Sequence, residues 1–241
     1  MVGIRRALAL LLLSFYFWQF LITALLGPEE LLPAFIGLTI CYGLAFVGIA
    51  AEWFWARWFA IGIGHFGSLF LISLLQVGFE PTIAVLGLSH VAVALFLAGE
   101  GMAARYERSE ATAERWNFQE ESLVQMRRAV KSAGMSLPLL ILYTLGPQPD
   151  ASELVALGLG VGGLFGLLRG RTWGLFALGG AGLMALAHGL GLLGAPSLGY
   201  FSLDPAGSMI LAGTAFPLLA GALALIPLSF VPAMIRFVRR S

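Results

Sequence analysis

Cysteine is nearly absent. Cys41 is the only one in 241 residues, so no disulfide can form within the chain. Its place inside an apolar run marks it as a small core residue, and it does not fix a redox compartment. Charge is scarce as well: Asp, Glu, Lys and Arg together make up 11%, against roughly a quarter in soluble domains. Lys131 is the only lysine. The marks of familiar chemistry are missing too. There is no His-Glu-x-x-His pair for zinc and no phosphate-binding loop ending in Gly-Lys-Ser or Gly-Lys-Thr, nor a Gly-x-Ser-x-Gly nucleophile turn. The arginines follow the ends of apolar runs instead of forming a patch, which speaks against a nucleic-acid partner. Alternating segments of about ten residues, the mark of a membrane β-barrel, do not occur.

What the chain has is hydrocarbon. Apolar residues account for 59%, the mean hydropathy is +0.90, and the apolar residues lie in long runs. A bilayer core about 30 Å thick takes roughly 20 such residues per helix. The fold class that follows is all-α: a polytopic integral membrane helix bundle with about eight transmembrane helices.

The runs divide as follows. Arg5 and Arg6 precede Ala7–Leu26, a run longer than the roughly 7–15 residues of a signal-peptide core, so a retained first helix is expected. Gly27-Pro28-Glu29-Glu30 ends it. Helix two covers Leu31–Ala51, with Pro33 in its first turn. The turn Glu52–Arg57 carries Trp53 and Trp55, followed by Trp58, and reads as an interfacial aromatic belt. Helix three continues to Val77 and helix four covers Thr82–Gly101. Helix five covers Ala129–Leu145 with Pro138 inside it, helix six Leu154–Leu168, helix seven Thr172–Leu193 and helix eight Ser208–Phe237. Gly158, Gly162, Gly166 and Gly170 recur every four residues, a spacing that lets helices approach closely in lipid. The organisation is therefore residues 1–101 as four transmembrane helices, 102–128 as a polar connector, and 129–241 as four more. The connector has no Gly or Pro from Ala103 to Ser132 and should be helical. Trp116, Phe118, Leu123, Val124 and Met126 give it an apolar side for headgroups or a partner.

Charge placement supplies the topology. With eight passes and both termini on one side, all fourteen basic residues fall on that side, from Arg5 and Arg6 through Arg57, the connector, Arg169 and Arg171 to Arg236, Arg239 and Arg240. The opposite loops hold Glu29, Glu30, Glu80, Asp150, Glu153 and Asp204. The positive-inside rule then puts both termini in the cytoplasm, and the segregation suits a bacterial inner membrane. An echo between Trp58-Phe59-Ala60-Ile61-Gly62 and the Trp173–Gly179 stretch suggests a parallel 4+4 internal repeat.

Ionisable residues inside membrane runs are the default functional candidates. They are His65 in helix three, His90 in helix four, His188 in helix seven and Glu100 near the cytoplasmic end of helix four. Counted from the cytoplasmic ends, His65 and His90 differ in depth by roughly 5 Å at about 1.5 Å per residue. Adjacent helices would bring the two imidazoles together near midplane, a geometry suited to haem b or to a proton relay. The structural alternative is a pair of core histidines bonded across the bundle, with Ser68 and Ser89 nearby. His188 lies too near the outer edge to join them.

Three functions are consistent with this reading. The foremost is a non-catalytic subunit or scaffold of a membrane assembly, whose partners are the bilayer and either other membrane subunits or further copies of itself. The others are a small transporter or channel with a relay through His65 and His90, and a haem-binding electron-transfer protein. No residue pattern defines an enzyme or a metal site.

Overall fold

The computed structural model describes residues 2–107, 120–144, 149–196, 200–202, 210–230 and 232. Ten helices carry the fold among these residues: α1 Val2–Leu26, α2 Leu32–Ala50, α3 Ala56–Ser68, α4 Phe70–Val77, α5 Pro81–Leu97, α6 Glu100–Glu107, α7 Glu120–Tyr143, α8 Ala151–Leu168, α9 Trp173–Gly189 and α10 Ala215–Leu225. A short antiparallel ladder pairs β1, Tyr200–Ser202, with β2, Ile210–Ala212.

Local chemistry explains most boundaries. Pro33 occupies the first turn of α2, where its missing N–H is not needed. Pro81 does the same for α5, and the Glu80 carboxylate caps that helix by accepting from the Ile83 N–H at 2.7 Å. Asp150 and Glu153 form a reciprocal capping box at the start of α8. Helix α2 closes with the Trp53 N–H on the Gly48 carbonyl at 2.9 Å, which puts Glu52 at a φ of +58.

The helices close into two four-membered rings. Helix α1 packs on α2, α2 on α3, α3 on α5, and α5 returns to α1; likewise α7 packs on α8, α8 on α9, α9 on α10, and α10 returns to α7. The rings meet where α3 lies along α7. That contact is close because glycine faces glycine: a Cβ on Gly134 would stand 2.5 Å from the Phe59 carbonyl oxygen and 3.2 Å from Gly62 Cα.

Several expectations are corrected. Among the described residues, four helices are long and apolar enough to cross a membrane, Val2–Leu26, Leu32–Ala50, Ala56–Leu75 and Ala151–Leu168, or five if α5 and α6 form one broken span. That is fewer than eight. Expected helix four does not run straight to Gly101; it stops at Leu97, and the chain bends by 70° into α6 through Gly99 at a φ of +90. Helices α9 and α10 are short. Residues Ile210–Ala212, expected inside helix eight, pair as a strand instead. Helix α7 starts at Glu120 rather than Ala129, so its first half carries Arg127, Arg128 and Lys131.

The glycine series holds at Gly166 and is corrected at Gly158 and Gly162. Gly158 and Gly162 have nothing beside them within 4 Å, whereas Gly163 and Gly166 pack against Gly174 of α9. The Trp cluster is not a uniform belt: Trp53 is exposed, while Trp58 is 1% exposed. In the connector, Leu123 and Met126 pack on the core and Val124 is exposed. Its Trp116 and Phe118, together with Asp204, Arg236, Arg239 and Arg240, lie outside the described residues.

Candidate functional site

Polar side chains gather in three places. The first is the end of the bundle where α1 and α3 begin and α2 and α5 finish. A helix C-terminus presents unpaired carbonyls and a partial negative charge, and arginines answer both. Arg5 donates to the Leu95 and Ala98 carbonyls at 2.7 and 2.5 Å. Arg57 Nε donates to the Leu97 carbonyl at 2.7 Å, and Arg6 to the Ala50 carbonyl at 2.7 Å. The bend after Leu97 folds α6 back under this end. There the Glu107 carboxylate, 1% exposed, is paired with Arg57, with Arg127 at 2.5 Å and with the Trp58 indole N–H at 2.7 Å. Nearby, Glu52 accepts from Arg6 and Arg105, each at 2.5 Å. The Arg105 hydrogen bond, followed by the charges of Arg6 and Arg105, holds the Glu52 carboxyl below its ordinary range.

The second place is the interior of the first ring. His90 is 1% exposed. Its Nδ1 lies 2.7 Å from the Leu86 carbonyl, and its Nε2 lies 2.6 Å from the Tyr42 hydroxyl. A carbonyl only accepts, so Nδ1 carries the proton and Nε2 takes the proton that Tyr42 donates. The Tyr16 ring lies 4.3 Å from the imidazole centroid, and the Tyr16 hydroxyl bonds Ser89 at 2.5 Å. On the α3 side, Gly67 stands where a Cβ would run into the His90 ring.

His65 is not part of this cluster. Gly64 and Gly67 turn toward α5 at His90, and His65, about 100° around the helix from Gly64, leaves that face. No hydrogen bond or ring contact joins the two imidazoles among the described residues, and the His65 ring faces the Ile61 carbonyl one turn back on α3. An iron at His90 Nε2 would have to displace the Tyr42 hydroxyl. Glu100 is exposed in the first turn of α6, a favourable position for a carboxylate.

The third place is the interior of the second ring, at the opposite end. Tyr143 of α7 bonds His188 Nδ1, their ring centroids are 5.6 Å apart, and the planes stand at 89°. The Glu153 carboxylate, 0% exposed, is 3.7 Å from the same nitrogen. Glu153 also accepts the Asp150 N–H at 3.2 Å. His188 Nε2 is buried and has no partner among the described residues. The sequence reading placed His188 near the outer edge without these partners. The Asp-x-x-Glu capping pattern at Asp150 was the signal that puts Glu153 at a helix start pointing back toward that edge.

A groove of about 140 Å³ lies where the rings meet, lined by Phe66, Leu69, Phe70, Ser73, Leu139, Phe216 and their neighbours. Its walls are almost wholly hydrocarbon. No group of three or more His, Cys, Asp or Glu side chains among the described residues forms a metal cluster. No known family model, curated protein or solved structure matches the chain. Fold and site together define a class: an all-α protein with several helices able to cross a membrane and few, mostly paired, buried polar groups.

Proposed function

We propose that the chain is a multi-pass protein of the bacterial inner membrane, with eight passes and cytoplasmic termini, acting as a non-catalytic subunit or scaffold of a membrane assembly. The observation that carries this reading is the closure of His90. Both of its nitrogens are committed to Tyr42 and Leu86 within the protein, as is expected of a group that fixes helix packing rather than one held open for chemistry. Eight passes are supported by the charge pattern. Arg5, Arg6, Arg57, Arg105 and Arg127 bond one another's neighbourhood at one end, while Glu80, Asp150 and Glu153 cap helices that start at the other. In this topology the short helices α9 and α10 and the charged helix α7 each make a pass, with their ends extended by loops.

An internal repeat fits the two rings of four helices. Each ring buries one Tyr–His pair with its planes at 89°, although the pairs sit on different members of the ring.

The test is purification in native lipid with no detergent step, followed by mass measurement of the intact particle. A fixed-stoichiometry complex with other membrane chains, or a defined oligomer, supports the assembly role. A lone monomer that moves protons or solutes when reconstituted contradicts it. Transport is kept as a second reading by the partnerless ring nitrogen His188 Nε2. A relay would lose flux in His65→Gln or His188→Gln liposomes.

A further inference from the structure

At the arginine-rich end, the described cations outnumber the groups that answer them. Arg5 and Arg6 are spent on helix carbonyls, and Glu52 takes Arg6 and Arg105. Glu107 takes Arg57 and Arg127. Half-buried Lys131, one turn after Arg127 on α7, has no hydrogen bond or ion pair among the described residues. Its charged neighbours there are Arg57 and Arg127, both cations. His65, across on α3, is within reach as well and brings no negative charge. Arg127 itself is only partly used: one of its terminal nitrogens bonds Glu107, while its Nε is buried without a partner. A buried N–H with no acceptor and a lysine with no counter-charge, one turn apart, call for one explanation.

Position narrows the ligand. Helix α3 lies so close along α7 that a Cβ on Gly62 would run into the Lys131 carbonyl. The span Ala56–Leu75 begins at the head of α3, and Gly62 lies about 9 Å along it at about 1.5 Å per residue. Lys131 therefore starts inside the span, and its stem reaches back to headgroup level. One and two turns further along α7 come Met135 and Pro138, hydrocarbon suited to an acyl chain. A phosphodiester carries one negative charge on two unesterified oxygens, which suits two N–H donors one turn apart. We propose that the mouth between α3 and α7 binds one anionic phospholipid, its phosphate accepting from Lys131 Nζ and Arg127 Nε. This rests on the chain crossing a membrane, and on neither the scaffold role nor the choice of cytoplasmic side.

The test takes the full chain from phosphatidylcholine nanodiscs, titrates it with phosphatidylglycerol, and counts retained lipids by native mass spectrometry. Entry into the nanodisc reports the membrane reading separately. One phosphatidylglycerol per chain should be retained saturably, at least about ten-fold more tightly than phosphatidylcholine, whose own ammonium already neutralises its phosphate. That comparison needs no variant. Lys131→Gln should weaken retention by about ten-fold, and Lys131→Arg should restore most of it. Arg128→Gln, which removes an exposed charge beside the site, should leave retention unchanged. Equal retention of the two lipids, no saturation, or equal losses in Lys131→Gln and Arg128→Gln would each overturn the proposal. Displacement of the lipid by soluble glycerol phosphate would assign the site to a free anion and overturn it as well.

Discussion

The Tyr42 hydroxyl lies 2.6 Å from His90 Nε2, joining α2 to α5 inside the first ring. The bond satisfies a nitrogen that has no access to water, so its removal should expose the cost of an orphan. Tyr42→Phe is expected to destabilise the protein by about 1–2 kcal/mol in a reversible unfolding measurement in mixed micelles. Adding His90→Phe removes the orphan as well. The double variant should recover part of that loss, because replacing both partners by apolar groups is far less costly than stranding one. Strictly additive losses would show that the pair contributes nothing beyond packing.

Glu107 should be the most sensitive of the polar residues. Its carboxylate is 1% exposed and stands between Arg57 and Arg127. Glu107→Ala leaves the 9% exposed Arg57 without its counter-charge, a change that typically costs about 3–5 kcal/mol. Arg127→Ala should matter much less. Arg127 is 41% exposed, and solvent reduces the worth of such a pair to about 1 kcal/mol or below. The order of the two unfolding midpoints is the check.

Glu52 gives a pH dependence of known sign. Its carboxyl is held below its ordinary value of 4.5, mainly by the Arg105 hydrogen bond. A carboxyl whose value is lowered on folding contributes stability that is fully present above 4.5 and is lost as pH falls through the lowered folded value. Unfolding scans below that point should therefore show a decline that Glu52→Gln reduces. Added salt should shrink the same difference, since the group is 36% exposed.

The glycines separate into two kinds. Gly67→Ala drives a methyl group into the His90 ring and should destabilise by about 1–3 kcal/mol. Gly158→Ala meets nothing within 4 Å and should be neutral or stabilise by up to about 1 kcal/mol through helix propensity. Unfolding midpoints of the two variants, taken side by side, decide it.

Much of the skeleton is legible in the residues. Pro28, Pro33, Pro81 and the Asp150–Glu153 box are local signals, and local backbone chemistry obeys them. The gathering of Arg5, Arg6, Arg57, Arg105 and Arg127 at one end is equally local. What the sequence hides is azimuth and distance along the chain. Depth arithmetic brings His65 and His90 to similar levels, yet the ring partner of His90 is Tyr42, 48 residues away, because a one-residue offset on α3 turns His65 off the shared face. The bend at Gly99 is likewise invisible, since one glycine in an apolar run reads as helix. What folds α6 back is contact across the chain: Arg57, Arg127 and Trp58 on Glu107, Arg105 on Glu52, and the Tyr106 hydroxyl on the Ile49 carbonyl. Glycine spacing is right only in part: of the four-residue series, Gly166 meets Gly174 of α9, but Gly158 and Gly162 meet nothing within 4 Å, and Gly163, outside the series, makes the companion contact.

The central claim is that the arginine-rich end faces the cytoplasm and that α8 and α9 each make a pass. In a Cys41→Ala background, two exposed positions test it directly, Ala151→Cys beside Asp150 and Thr172→Cys beside Arg171. With a membrane-impermeant thiol reagent on intact cells, Ala151→Cys should label at once and Thr172→Cys only after permeabilisation. The reverse pattern, or the same response at both sites, would contradict the topology.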